Sequence, residues 1–205
     1  GRGKRAIEDH FDISYELENQ IKGTSKEHYL TEIRAVITKC TFSYTRQIEM
    51  KGLGHAILCG ETLIGDQPFA VLLADDLCDA PGKGVLAQMV DLYNKYGVIA
   101  GNEIEPGIYM VKDMVEKPEP EVAPSNLAII GRYILTPDIF NIIRETKPGK
   151  GGEIQITDAL LTQAKKGMVL AFKFEGQRFD CGSIDGFVKA TNYFYDKETK
   201  KEAAA

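Results

Sequence analysis

Two acids stand together in Ala74-Asp75-Asp76, at the end of the apolar run Pro68 to Ala74. A buried strand that ends on paired carboxylates carries charge that must be compensated. Oxygen ligands in that position suit Mg2+, a hard cation; a helix N-cap or a solvated loop is the competing reading. Asp180 follows another strand-like run, in Phe179-Asp180-Cys181-Gly182, where Gly182 permits close backbone approach. Two strand-end acids far apart in sequence can converge on one cation. Glu116-Lys117-Pro118 offers a carboxylate for sugar hydroxyls and a point charge for phosphate, or else an exposed ion-pair turn. Lys51-Gly52-Leu53-Gly54-His55-Ala56 follows a strand-like segment and opens a helix. Its glycines would let backbone amides approach a ligand, and a helix N-terminus favours an anion or a polar base edge.

Other chemistries find less support. Ile57 occupies the third glycine position of a dinucleotide fingerprint, which weakens a dehydrogenase reading. His10, His28 and His55 have no mutual zinc-ligand spacing. No Gly-x-Ser-x-Gly elbow occurs, so serine hydrolysis is not indicated. Cys40, Cys59, Cys78 and Cys181 form no C-x-x-C pair and read as reduced thiols of a cytosolic protein.

The elements that must carry these residues alternate. Helices are expected at Ser14 to Lys22, Ser25 to Ile37, His55 to Ile64, Val85 to Asn94, Pro137 to Glu145, Ile156 to Lys166 and Ile184 to Tyr195. Strands are expected at Thr41 to Gln47, Pro68 to Ala74, Gly97 to Ala100, Ile108 to Val115, Leu127 to Leu135 and Met168 to Glu175. Pro68 to Ala74 is apolar at successive positions, as in a parallel strand covered on both faces. The order implies an α/β fold with a mainly parallel sheet, whose ligands lie beyond the carboxyl ends of the strands. No Ser/Gly-rich linker or internal repeat divides residues 1–205, so one domain is expected.

Composition narrows the partners. With 25 basic and 30 acidic residues the net charge is −5, which argues against a nucleic-acid partner but leaves room for one small phosphorylated ligand. The longest strongly apolar run is far shorter than the ~18–20 residues of a membrane span, so no membrane partner is expected.

Together the motifs are specific. Ile7-Glu8-Asp9-His10-Phe11-Asp12, Arg46-Gln47, Lys51 to Ala56, Leu73-Ala74-Asp75-Asp76 and Tyr96-Gly97-Val98 occur in order. They are followed by Val115-Glu116-Lys117-Pro118, Ala123 to Ala128, Gly152 to Ala159 and Phe179-Asp180-Cys181-Gly182. In this register the sequence resembles bacterial UTP–glucose-1-phosphate uridylyltransferases from about Ile7 to Ser183. The resemblance implies a Rossmann-like nucleotide-diphospho-sugar transferase fold, a mixed, mainly parallel sheet flanked by helices. It implies a cytoplasmic enzyme of carbohydrate metabolism, expected as a homo-oligomer, that forms UDP-glucose and pyrophosphate from UTP and glucose 1-phosphate with Mg2+. A related thymidylyl- or adenylyltransferase, or a non-catalytic sugar-nucleotide-binding homologue, is the alternative.

By the same resemblance, Gln47 and the Gly52 backbone would read uracil, and Asp75 and Asp180 would hold Mg2+. Gly97 would let the sugar approach, Glu116 and Glu153 would bind glucose hydroxyls, and Lys117 would bind the sugar phosphate. The catalytic set is then Lys117, Asp75 and Asp180. Two departures stand out: the family's first strand with its Gly-rich nucleotide loop has no counterpart, and a strand usual before Tyr96-Gly97-Val98 is missing near residues 94–97. An N-terminally incomplete chain, weak in UTP binding and turnover by itself, is the expectation.

Overall fold

The computed structural model describes residues 5–96, 105–116, 119, 121, 125 and 127–204. Its first part is helical: α1 (Ala6–Phe11), α2 (Tyr15–Ile21), α3 (Glu27–Ile37), α4 (Gly52–Leu58) and α5 (Glu61–Ile64). Strands β1 (Phe69–Leu72) and β2 (Asp76–Asp79) follow, then α6 (Val85–Tyr96), β3 (Ile108–Met110), β4 (Arg132–Leu135) and α7 (Ile139–Glu145). A 3-10 turn at Lys150–Gly152 leads to α8 (Ile156–Ala164), β5 (Leu170–Phe172), β6 (Gln177–Asp180) and α9 (Ile184–Ala204).

The alternation of helix and strand is present, but the described pairings differ from a mainly parallel sheet. They form three two-stranded ladders, β1–β4, β2–β6 and β3–β5, all antiparallel. Each ladder joins strands separated by a long excursion of chain. Such a connection can return its strand in either sense, so alternation alone does not dictate direction. β1 has one described partner, and its side chains alternate between half-buried and exposed, with Leu72 50% exposed. Burial on both faces, expected from its apolar run, is therefore not found.

Residues 41–47, expected as a strand, form no ladder. Two of their side chains turn to α4 and its end: Thr45 Oγ1 donates to the Cys59 carbonyl at 3.3 Å and Gln47 reaches Gly52 and His55, while Phe42 stacks on Phe11 of α1. Helix α6 runs on through Tyr96, whereas Gly97 and the strand expected at Gly97 to Ala100 lie outside the described residues.

The core lies where α4, α7 and α8 pack together beside β1 and β4. α7 turns Ile139, Phe140 and Ile143 inward, and both isoleucines are fully buried. The spacing of Ile139 and Ile143 places them one turn apart on the same face. α8 adds Ile156, Ala159, Leu160 and Ala164. Phe69 of β1 stacks on Phe140, with ring centroids 5.3 Å apart. At the other end, Asp79 of β2 accepts hydrogen bonds from Tyr193 Oη at 2.7 Å and Lys197 Nζ at 2.5 Å, tying α9 to the β2–β6 ladder.

Close approach explains two glycines. The Gly54 amide donates to the Ile154 carbonyl at 2.9 Å, and the Ile154 amide to the Lys51 carbonyl at 2.8 Å. A Cβ on Gly54 would lie 2.8 Å from the Ile154 carbonyl oxygen. Gly52 has φ +84°, and a Cβ there would lie 2.8 Å from Glu153 Cβ. The space beside both glycines is taken by residues 153–154. Gly54→Ala should cost about 1–3 kcal/mol through forced displacement, read as a lower urea midpoint. A midpoint equal to that of the parent would contradict the close approach.

Candidate functional site

The two neighbouring acids part company. β1 ends at Leu72, Asp75 sits in the turn that follows, and Asp76 begins β2. Asp76 is buried and directed into the protein: Oδ2 accepts the Gly131 amide at 2.8 Å, and Oδ1 pairs with Arg178 Nε. Its carbonyl accepts from Arg132, whose Nη1 also donates to the Leu73 carbonyl at 2.9 Å. The buried charge of Asp76 is thus compensated by protein groups, which is what keeps such a carboxylate tolerable. The expectation of a paired-acid metal ligand therefore narrows to Asp75.

Asp76 stands opposite Asp180 in the β2–β6 register, and the Cys181 amide donates to the Asp75 carbonyl at 2.7 Å. This pairing brings the two chain segments together at Gly182. An added Cβ at Gly182 would lie 3.1 Å from Asp180 Oδ1 and 3.4 Å from Asp75 Oδ2. The two carboxylates therefore face one small space, which the absence of a side chain at Gly182 keeps open. Asp180 is half exposed, accepts the Gly182 amide at 3.1 Å and has Arg178 Nη2 3.5 Å away. The Asp75 carboxylate has no hydrogen-bonding or ionic partner among the described residues. One free carboxylate and one exposed carboxylate about a common point are a donor set that fits a small oxygen-seeking cation. No cluster of three or more potential metal ligands occurs among the described residues.

A second group gathers around residues 153–157. Gln47 Nε2 donates to the Gly52 carbonyl at 3.0 Å and meets His55 Nδ1 at 3.0 Å. Gly52 packs on Glu153, whose carboxylate accepts from Gln155 Nε2 at 3.0 Å. Thr157, buried in the first turn of α8, donates through Oγ1 to Glu116 Oε2 at 2.5 Å. The segment therefore touches Gly52 at one end and Glu116 at the other. Burial above all, then the carboxylates of Glu116 and Asp76, raise the Tyr133 phenol above its ordinary value. Lys117 and Gly97 lie outside the described residues.

A cleft of about 920 Å3 opens beside Glu116, with Arg132, Tyr133 and Asp113 on its wall and an otherwise largely apolar lining. Asp75, Asp180, Gln47, Gly52 and Glu153 do not line it. Of the expected residues that are described, the cleft includes Glu116 alone.

Arg178, Gly131, Arg132 and Thr157 were not anticipated from the sequence. Arg178 had a signal, since it stands two residues before Asp180 and in a strand shares its face. Thr157 stands within the quoted motif Gly152 to Ala159, but its pairing with Glu116 had no local signal, and neither had Gly131, because the partners are distant in the chain.

The sequence matches the Nucleotidyl transferase family over residues 12–197. The chain belongs to the nucleotidyl transferase family. Among its relatives is a UTP–glucose-1-phosphate uridylyltransferase of Pseudomonas aeruginosa, 66% identical over 96% of this chain and 77% of the relative. Of solved structures, an apo UDP-glucose pyrophosphorylase is 58% identical with TM-score 0.90, covering 97% of this chain and 80% of that one. A UDP-glucose pyrophosphorylase complexed with UDP-glucose is 54% identical with TM-score 0.84, covering 96% and 79%. The α/β arrangement is thus the nucleotidyl transferase fold, and residues 75 to 182 that bring the acids together fall wholly within the matched family region. Among the described residues no helix of this nucleotidyl transferase is long and apolar enough to cross a membrane.

Proposed function

We propose that the chain transfers the uridylyl group of UTP to glucose 1-phosphate, forming UDP-glucose and releasing pyrophosphate. The observation that carries the reading is the 66% identity to a UTP–glucose-1-phosphate uridylyltransferase across 96% of the chain. The convergence of Asp75 and Asp180 at Gly182 supports it independently.

In this reading a phosphate oxygen of glucose 1-phosphate attacks the α-phosphorus of UTP, and the bond to the pyrophosphate leaving group breaks. The nucleophile is already an anion, so positioning and charge neutralisation carry the step rather than a strong base. Asp75 and Asp180 would hold Mg2+, which when bound neutralises phosphate charge. Gln47 and the Gly52 amide meet the uracil edge. Glu116, held by Thr157, and Glu153 take glucose hydroxyls, Gly97 admits the sugar, and Lys117 balances the sugar phosphate. Residues 1–205 act as one domain, in a homo-oligomeric cytoplasmic enzyme of carbohydrate metabolism.

The test is pyrophosphate release with UTP, dTTP and ATP, each offered with glucose 1-phosphate. UTP should be strongly preferred; equal use of ATP would refute the assignment, and preference for dTTP would transfer it to thymidylyl chemistry. Gln47→Ala should weaken UTP binding by about 1–3 kcal/mol, the cost of leaving polar groups unpaired. Calorimetric titration reads that loss, and an unaltered affinity removes Gln47 from the base site.

A further inference from the structure

The Gln47 side chain is half-buried, and its amide is anchored at one end. Nε2 lies 3.0 Å from the Gly52 carbonyl oxygen and 3.0 Å from His55 Nδ1. A carbonyl oxygen only accepts, so the group facing it must be the amide NH2. One amide hydrogen is directed to Gly52 and the other to His55. The ring nitrogen that receives it must then carry a lone pair, which places the imidazole hydrogen on its own Nε2. Gln47 Oε1 is left without a hydrogen-bond partner among the described residues.

We infer that His55 is a specificity-positioning residue, which accepts the second amide hydrogen of Gln47 and so presents Oε1 as a fixed acceptor to the base. The inference rests on the reading that Gln47 meets the base. Uracil offers a donor at N3, whereas cytosine offers a lone pair there, so a fixed acceptor favours the first and repels the second. Gly52 alone would select the same end of the amide but leave its plane free to swing about one hydrogen bond. The second anchor fixes the plane. A buried polar site held in one orientation discriminates more strongly than an adaptable one, because the wrong partner leaves it unpaired.

The experiment compares kcat/KM for UTP and CTP, with glucose 1-phosphate, in the parent enzyme and in the His55→Leu, His55→Asn and Gln47→Ala variants. His55→Leu should lower the UTP-over-CTP preference about tenfold, the effect of one hydrogen bond at its upper range. His55→Asn places an acceptor oxygen near the lost Nδ1 and should retain the preference. Gln47→Ala should also collapse it. Collapse in Gln47→Ala with the preference intact in His55→Leu would overturn the role of His55 alone. An intact preference in Gln47→Ala would overturn the base-reading role of Gln47 and the inference with it. Nitrogen-15 shifts of the imidazole in the parent enzyme, assigned by loss of the signal in His55→Asn, give a readout that needs no turnover. A neutral ring protonated on Nε2 is expected, and one protonated on Nδ1 would overturn the inference.

Discussion

Turnover should fall on the order of 10²–10³-fold when Asp75 is replaced by Ala, with little change in melting temperature. The carboxylate has no partner among the described residues, so its removal strands no buried group. The hydrogen bond that fastens this turn to the ladder comes from the Cys181 amide and is accepted by the Asp75 carbonyl, which Ala retains. The loss therefore belongs to the function of the side chain and not to folding. Initial rates of pyrophosphate release at saturating substrates, beside a thermal melt, separate the two. Parent-like rates would remove Asp75 from the proposed metal pair and leave Asp180 alone there.

Asp76→Ala should do the reverse and cost about 3 kcal/mol of stability, at the lower end for breaking a buried ion pair because Arg178 is partly exposed. The substitution leaves the Gly131 amide without its acceptor and Arg178 without its buried counter-charge. Gly131 runs close against Leu73, since a Cβ there would lie 2.6 Å from Leu73 Cβ. Urea unfolding measures the effect. An unaltered midpoint would show that the network adds nothing to the folded state.

That contrast marks what the sequence could convey. Asp75 and Asp76 are chemically identical neighbours, and their different fates depend on Gly131 and Arg178, which the chain brings in from far away. Composition names both acids and distinguishes neither; only the family resemblance singled out Asp75. Helices were more legible, because their signal is local: the Leu86, Met89, Val90 and Tyr93 stripe marks α6, and the spacing Leu30, Ile33, Ile37 marks α3. Strand partners were not legible, since a run such as Phe69–Leu72 records its own apolarity and not the direction of Arg132–Leu135 beside it. β2 was missed because its four residues, Asp76–Asp79, include two acids and lack the usual strand composition. Gln47 reaches Gly52, Gly52 packs on Glu153, and Glu116 is held by Thr157, four residues beyond Glu153, contacts that no local pattern records.

The ladders also set an order of events during folding. None of the three joins successive strands through a hairpin: residue 69 waits for 135, residue 108 for 172 and residue 76 for 180. Closing such loops costs entropy before any pairing enthalpy is gained, so local helices such as α7 and α8 should form ahead of the strands. On a ribosome the disparity is greater, because β2 has no template until residues 177–180 have been made and released from the exit tunnel. The turn carrying Asp75 is thus synthesised early and fastened late, and in the interval β2 is an unpaired edge open to wrong partners.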